Sequence, residues 1–296
     1  MAQPRGVGTL YIVSTPIGNL EDITLRAVRI LGEVDLVAAE DTRRTRVLLD
    51  HLGIRKPMVS CHDQNEGGRV PRLLEALRRG DDLALVSDAG TPLVADPGYR
   101  LVAAAAEAGV AVVPVPGASA PLALLAASGL PSDTFRFLGF LPARAAARRA
   151  RIEAMQTSRD TQILFETAQR LPAALADLAA GLGRRRAVIG RELTKAHEEI
   201  LRGDLVSLSE EIAARDSLRG EVVIAIARAD DDDETALQDA ETRLRQAVED
   251  VRARIVEGES PSRAAREVAA ERGVSRRLLY ARVHGDSGQP EDKPED

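Results

Sequence analysis

The segment from Leu83 to Gly98, which reads LALVSDAGTPLVADPG, decides the fold. It joins a continuous apolar run, Leu83 to Ser87, to a loop in which Val86 to Gly98 contains two Asp, two Gly and two Pro. Apolar runs without alternation are typical of strands buried on both faces, as in parallel sheets that helices cover. Ligands of such sheets bind beyond the carboxyl ends of the strands. The segment therefore predicts an α/β fold with a binding loop.

The same strand and helix pattern repeats on both sides of this segment. We predict strands at Leu10 to Val13, Asp35 to Ala39, Met58 to Ser60 and Ala111 to Val115, with helices from Asp22, at Thr42 to Leu52, at Arg69 to Arg79 and at Gly98 to Ala108. After Pro116-Gly117 the pattern becomes less regular, with strands at Thr134 to Gly139, Gln162 to Phe165, Ala187 to Ile189 and Glu221 to Ala227. The helices of this half are Ala120 to Ser128, Ala143 to Gln156, Pro172 to Ala180 and Ser209 to Ala214. The prediction is two α/β domains, residues 1–116 and 117–229, with a ligand cleft between them.

The remaining residues predict a small helical module. Asp230 to Glu234 is a run of five acids, expected to be a linker. Residues 235–285 follow, with helices at Ala240 to Glu257, Ser260 to Ala269 and Arg276 to Val283 around a turn at Gly273 to Ser275. This spacing resembles a helix-turn-helix, which either contacts nucleic acid or caps the fold. Residues 286–296 are expected to be a disordered acidic tail.

Composition excludes several classes of protein. The chain has 296 residues, of which 44% are hydrophobic and 29% charged, which indicates a globular protein of about two domains. Cys61 is the only cysteine, so neither an intramolecular disulfide nor a Cys-rich metal site forms, and His62 and His197 lack zinc-ligand spacing. No signal peptide or membrane-length apolar run is evident, so we expect a cytoplasmic location.

The chain has a net charge of −6, but outside two acidic segments it is mildly basic. The five acids of Asp230 to Glu234 and the tail from Asp286 carry a net −5 and −4, so the remainder carries +3. The chain has only three lysines, Lys56, Lys195 and Lys293, and its other basic residues are arginines. Arginine binds phosphate bidentately, which fits a nucleic-acid partner, although coding bias is the preferred explanation of the composition.

Two further loops follow predicted strands. Ser14 to Asp22 contains Pro16, Ile17 and Gly18 but neither a G-x-G-x-x-G nor a phosphate-loop pattern, and Pro116 to Ala120 has the same small-residue character. Three such loops at strand ends predict one binding site.

These loops, together with Ala39-Glu40-Asp41-Thr42-Arg43 and Arg191 to Glu198, resemble the tetrapyrrole-methylase family over about Gly8 to Val283. The branch they resemble methylates the ribose 2′-oxygen of a cytidine in 16S ribosomal RNA. One departure is visible, since the chain reads His62-Asp63-Gln64-Asn65-Glu66 where that branch has His-Glu-His-Asn-Glu.

The resemblance implies that S-adenosyl-L-methionine is held, bent, in the cleft between the two α/β domains. The implied cofactor-binding residues are Pro16, Ile17, Gly18, Asp88, Ala89, Gly90, Thr91, Pro92, Gly117, Ala118, Ser119, Phe165, Glu166, Thr167, Ala168, Gly220 and Glu221. Oxygen atoms stabilise a sulfonium, and small residues permit close approach of the backbone.

Methyl transfer to a hydroxyl requires alignment and benefits from a positioned base. The catalytic candidates, among which the sequence does not choose, are Glu40, Asp41, Glu66, Glu192, Lys195 and His197. Candidates for RNA contact are Arg43, Arg148, Arg149, Arg191, Arg276 and Arg277. Aromatic residues make up only 2% of the chain, so base stacking is not the expected mode of recognition.

The expected activity is thus methylation of a cytidine in the decoding region of 16S rRNA, by a homodimer acting on the small ribosomal subunit. One alternative is a methylase of a small tetrapyrrole, a precorrin. Another is a regulator without enzymatic activity, which binds nucleic acid through the helix-turn-helix. The basic helical module argues against the first alternative, and the loops at the strand ends argue against the second.

Overall fold

A parallel five-stranded sheet forms the first half of the molecule. The computed structural model describes residues 6–229, 233–256, 258–272, 274, 279 and 282–283. The strands β1 (Thr9–Val13), β2 (Leu36–Ala39), β3 (Met58–Ser60), β4 (Leu83–Val86) and β5 (Ala111–Val115) lie in the order β3-β2-β4-β1-β5. All four pairings are parallel, as predicted.

Four helices cover both faces of this sheet: α1 (Leu25–Glu33), α2 (Thr42–His51), α3 (Glu66–Arg78) and α4 (Tyr99–Glu107). Leu83 and Leu85 pack against α3 and α4, while Ala84 and Val86 pack in the cluster that contains α1 and α2 residues. Successive side chains of a strand point to opposite faces, so a strand covered on both sides is apolar at every position. This packing explains the continuous apolar run.

A mixed sheet forms the second half. Its strands β6 (Phe135–Phe140), β7 (Thr161–Thr167), β8 (Arg186–Arg191), β9 (Glu199–Asp204) and β10 (Glu221–Ile226) lie in the order β6-β7-β10-β8-β9. Within this second sheet, β6 and β7 pair in parallel, and the other neighbouring strands pair antiparallel. The helices are α5 (Ala120–Ser128), α6 (Ala145–Glu153), α7 (Leu171–Leu182) and α8 (Leu205–Ala213). Leu124 of α5 packs with Ile17 of the first half and Val223 of β10, so this cluster joins the two sheets.

Some predicted boundaries are wrong. The strand β9 was not predicted, because it is a partly buried edge strand of mixed polarity without an apolar run. Helix α3 begins at Glu66 rather than Arg69, since Gly67 and Gly68, both poor helix formers, lie inside it. Helix α1 begins at Leu25 rather than Asp22, because the Thr24 side chain caps it by accepting from the Ala27 N–H.

The chain divides into two compact units after Arg228. The boundary predicted at residue 116 lies inside the first unit and stays a prediction. In the second unit, α9 (Asp233–Val256) and α10 (Pro261–Arg272) pack around a small core that includes Val251, Val268 and Leu279.

The acidic linker predicted at 230–234 is wrong at its end, because Asp233 and Glu234 begin α9. Arg276 and Arg277, most of the third helix and the tail 286–296 lie outside the described residues. Among the described helices, none is both long and apolar enough to cross a membrane.

Candidate active site

A cleft of about 340 Å³ lies between the carboxyl ends of β1, β2 and β4 and the second sheet. The lining residues are Ile17, Glu40, Arg44, Asp88, Ala89, Ala95, Asp96, Ala120, Phe140, Phe165, Glu166, Thr167, Leu193, Lys195, Glu221, Val222 and Val223. Both halves of the first compact unit therefore contribute to one cavity.

The three loops predicted to form one site do meet. Thr15 and Gly90 exchange backbone hydrogen bonds of 2.9 and 3.1 Å, and the hydroxyls of Ser14 and Thr91 lie 2.9 Å apart. The third loop is equally close, since a Cβ on Gly117 would lie 2.9 Å from the Cβ of Ser14. Only a residue without a side chain fits there.

Strained backbone flanks the cleft on both sides. The described non-glycine residues with a left-handed φ are Leu93, Ala95, Glu192 and Thr194. Such a conformation costs of order 1–3 kcal/mol per residue and persists where the surroundings impose it. These residues neighbour Asp96 on one side and Lys195 on the other, both of which line the cavity.

Carboxylates dominate the wall formed by the first sheet. The Glu40 Oε2 accepts a 3.2 Å hydrogen bond from the Asp88 N–H, and the Asp88 carboxylate accepts one of 3.0 Å from the Asp41 N–H. Arg44 Nε lies 3.5 Å from Asp88 Oδ2. Burial raises the pKa of Glu40, and burial together with the charge of Glu40 raises the pKa of Asp96 to about 6.

A lysine and two glutamates form part of the opposite wall. Lys195 Nζ donates to Glu192 Oε1 at 2.8 Å and to Glu221 Oε2 at 3.1 Å. Burial opposes the charge of Lys195, but the bonds to Glu192 and Glu221 outweigh it and raise the lysine pKa. The bond from Lys195 lowers the pKa of Glu192. Gly220 has a φ of +100°, and a Cβ there would lie 2.4 Å from Glu192 Oε1.

Glu166, which lines the cleft, has one buried carboxylate oxygen without a partner among the described residues. Its side chain is buried, Oε1 accepts from the Thr167 N–H at 2.8 Å, and Arg170 Nε lies 3.1 Å from Oε1 in an ion pair. Oε2 finds no hydrogen-bond partner in the part of the chain that the structure describes. A buried carboxylate oxygen without a donor is costly unless a ligand supplies one. Beside it, the ring of Phe165 lies 5.5 Å from that of Phe140, which provides an apolar wall.

The six catalytic candidates separate into three groups. Glu40 and Lys195 line the cleft, while Asp41 and Glu192 adjoin it through hydrogen bonds to Asp88 and Lys195. Glu66 is outside the lining and buried, and its carboxylate accepts from the Arg100 and Leu101 N–H groups at 2.8 and 3.1 Å. It therefore caps the start of α4. His197 is exposed and also outside the lining.

The cofactor candidates fall into two sets. Those that line the cleft are Ile17, Asp88, Ala89, Phe165, Glu166, Thr167 and Glu221. Those that support the lining loops without lining the cavity are Pro16, Gly18, Gly90, Thr91, Pro92, Gly117, Ala118, Ser119, Ala168 and Gly220. Sequence reasoning did not single out Asp96 or Phe140. Asp96 stands in the decisive loop, so its position after a strand was an available signal.

The arginine candidates for RNA contact are largely paired. Arg43 is 89% exposed and lies 2.6 Å from Asp41, whose pKa it lowers to about 2. Arg191 bonds to Glu199 at 2.9 Å. Arg148 is only 9% exposed and lies 2.6 Å from Asp177, so it ties α6 to α7 rather than facing solvent. The exposed Arg149 shares Asp177, with Nε 3.1 Å from its carboxylate.

We expect Arg148→Ala to lower the free energy of unfolding by about 3 kcal/mol, because it removes one partner of a largely buried ion pair. Arg149→Ala is its matched control on the same carboxylate, and we expect a change of at most about 0.5 kcal/mol because that side chain is exposed. Urea unfolding measures both. Equal losses, or a larger loss for Arg149→Ala, would contradict the structural role of Arg148.

A cleft beyond the carboxyl ends of parallel strands, lined by carboxylates and an apolar wall, is the usual place for a small-molecule site in an α/β protein. Residues 9–209 match the model of the family Tetrapyrrole (Corrin/Porphyrin) Methylases. The chain therefore belongs to the tetrapyrrole methylase family and is a methyltransferase. Among the described residues, no group of three or more His, Cys, Asp or Glu side chains is placed to hold a metal ion.

Within this family, the chain is similar to proteins named Ribosomal RNA small subunit methyltransferase I. The relative from Mesorhizobium japonicum is 52% identical over 75% of this chain and 76% of its own length. That from Micromonospora olivasterospora is 47% identical over 95% and 88%. A solved uroporphyrin-III C-methyltransferase from Thermus thermophilus, complexed with S-adenyl homocysteine, shares the fold with a TM-score of 0.52, 21% identity and coverage of 74% and 97%.

Proposed function

We propose that this enzyme transfers a methyl group from S-adenosyl-L-methionine to the ribose 2′-hydroxyl of a cytidine in the decoding region of 16S rRNA. The name shared by relatives 47–52% identical to this chain carries the proposal. The proposed enzyme is a homodimer, and it acts in the cytoplasm on the small ribosomal subunit.

The charge of the cleft supports a cationic donor. Five carboxylates line it, those of Glu40, Asp88, Asp96, Glu166 and Glu221, against the two cations of Arg44 and Lys195. S-adenosylmethionine carries a sulfonium and an ammonium against one carboxylate, so its net charge complements this excess.

A further feature fits the donor. The apolar wall of Phe140 and Phe165 suits the adenine ring. When bound, the donor supplies an electrophilic methyl group, and the chain's contribution is to orient the acceptor hydroxyl and exclude water.

The negative charge of the cleft also implies that the methyl donor and the RNA backbone bind at different places. An acidic cavity repels phosphate, so we expect the RNA backbone to contact the enzyme outside the cleft, where exposed cations such as Arg43 lie. Only the target ribose would enter the cavity.

Methyl transfer from labelled S-adenosylmethionine tests the proposal. The purified enzyme is incubated with small subunits from a strain that lacks this methylation, with naked 16S rRNA, or with a precorrin. We expect label in the small subunit, located by nuclease digestion and mass spectrometry at the 2′-oxygen of one cytidine. Label in the precorrin alone, or no label in any acceptor, would contradict the proposal.

A further inference from the structure

We propose that Glu40 and Asp96 form a carboxyl pair that accepts the proton of the hydroxyl being methylated. The inference rests on the proposed function and goes beyond it by naming the proton acceptor. Glu40 follows β2 and Asp96 lies in the loop after β4, and both line the same wall of the cleft. The loop that carries Asp96 also contacts Glu40, because the Asp88 N–H of that loop donates to Glu40 Oε2.

The backbone holds both acids in place. Glu40 Oε2 is fixed by the Asp88 N–H at 3.2 Å. Asp96 follows Ala95, which has a φ of +66°, and precedes Gly98, which has a φ of +124°. A Cβ on Gly98 would lie 2.6 Å from Leu85 Cδ2, so this turn is packed tightly onto β4. A strained segment that ends at a cleft-lining carboxylate is a feature of functional sites.

The surroundings raise the pKa of both members of the pair. Burial and then the charge of Glu40 raise the pKa of Asp96 to about 6, and Asp88 and Asp63 act in the same direction. Ser87 bonds to Asp96 and opposes this rise, while Arg44 lowers the pKa of Glu40. From the other wall, Lys195, Glu166 and Glu221 face the same cavity. Two carboxylates that share a site titrate as a unit, and a pKa near the working pH suits a proton acceptor.

Three carboxylates outside the lining, which the sequence also offered as catalytic candidates, are less suited to this task. Asp41 is bound to Arg43, which lowers its pKa to about 2, and Lys195 lowers the pKa of Glu192. A carboxylate with a lowered pKa is a weaker base. Glu66 is occupied by two N–H groups at the start of α4.

In the balanced step, the ribose oxygen forms its new bond to the methyl carbon while the carbon–sulfur bond breaks and leaves its electron pair on sulfur. The hydroxyl proton passes to the Glu40–Asp96 pair, which then releases it to solvent. No other reactant is required.

Three variants test this pair kinetically. We expect Asp96→Asn and Glu40→Gln each to lower kcat for RNA methylation about 100-fold, the lower end of the range for general base catalysis. Binding of S-adenosylhomocysteine should change less than about threefold, so the loss should lie in kcat. The control, Asp63→Asn, removes an exposed acid outside the lining that acts on Asp96 only through its charge. Its maximal rate should stay near wild type.

A measurement without ligands gives an independent readout. Carbon-13 NMR of labelled Asp side chains in the free protein should show one carboxyl that titrates near pH 6, and that signal should be absent in Asp96→Asn. The pKa of Asp96 is about 6 in the folded protein and 3.8 in the unfolded chain. Between pH 3.8 and 6 the folded protein therefore keeps a proton on Asp96 that the unfolded chain has lost. The stability contributed by this proton is lost as pH rises through about 6. Asp96→Asn should therefore raise Tm more at pH 8 than at pH 5.

The outcomes separate this inference from the proposed function. Wild-type enzyme that fails to methylate RNA contradicts the proposed function, whatever the titration shows. Active wild-type enzyme with an equally active Asp96→Asn variant overturns the pair alone. An Asp96 carboxyl that titrates near pH 4 in the free protein also overturns it.

Discussion

Gly18→Val is expected to weaken the binding of S-adenosylhomocysteine about 100-fold, which corresponds to about 2.7 kcal/mol. A Cβ at Gly18 would lie 2.3 Å from Lys195 Cγ and 3.1 Å from the Leu193 carbonyl oxygen. Lys195 must then move, and its bonds to Glu192 and Glu221 break with it. Overpacking of this kind costs typically 1–3 kcal/mol, and here the displaced groups line the cleft. Isothermal titration calorimetry measures the affinity.

The matched control is Gly32→Ala. Gly32 lies inside α1, and a Cβ there meets nothing within 4 Å. Alanine is a better helix former than glycine by about 1 kcal/mol, so this variant should be slightly more stable and bind the ligand as wild type does. If folded Gly18→Val binds with wild-type affinity, the loop after β1 is not part of the cofactor site.

Glu66→Ala is expected to lower the free energy of unfolding by about 3 kcal/mol while the folded fraction keeps its methylation rate. The buried carboxylate accepts from Arg100 and Leu101, and its loss leaves two N–H groups at the start of α4 without their acceptor. Each buried donor left unsatisfied costs about 1–3 kcal/mol. Gly98, at the cap position, provides no side chain to replace it. Urea unfolding measures the loss, and methylation assays at low temperature measure the rate.

Glu66→Gln is the control that separates capping from catalysis. The amide keeps an acceptor oxygen but is neutral, so it should recover more than half of the lost stability. A variant with wild-type stability and no methyl transfer would instead show that the Glu66 carboxylate acts in the reaction.

The parallel sheet was predictable because its strands are buried on both faces, and this burial leaves continuous apolar runs such as Leu83 to Val86. The cofactor loops were predictable because adjacent parallel strands end at one edge, where Thr15 and Gly90 meet. The edge strand β9 lacked such a signal, since its residues are only partly buried.

The roles of single charged residues were harder to predict, because they depend on partners distant in the chain. Arg148 has an ordinary helix-surface sequence around it, and only its pairing with Asp177 on the next helix buries it. Likewise, Glu66 became a cap because α4 begins beside it, 34 residues later. Asp96 acquires its raised pKa from burial and from Glu40, which follows a different strand. The sequence around each of these residues does not show which distant residue will become its partner.

Hydrogen–deuterium exchange of the full chain, with and without saturating S-adenosylhomocysteine, tests most directly whether the cleft holds the methyl donor. We predict slower exchange in residues 14–20, 87–98, 116–120, 165–168 and 192–196, which form or support the cleft, and unchanged exchange in the outer helix α8. Protection confined to other segments, or no protection at saturation, would contradict the account.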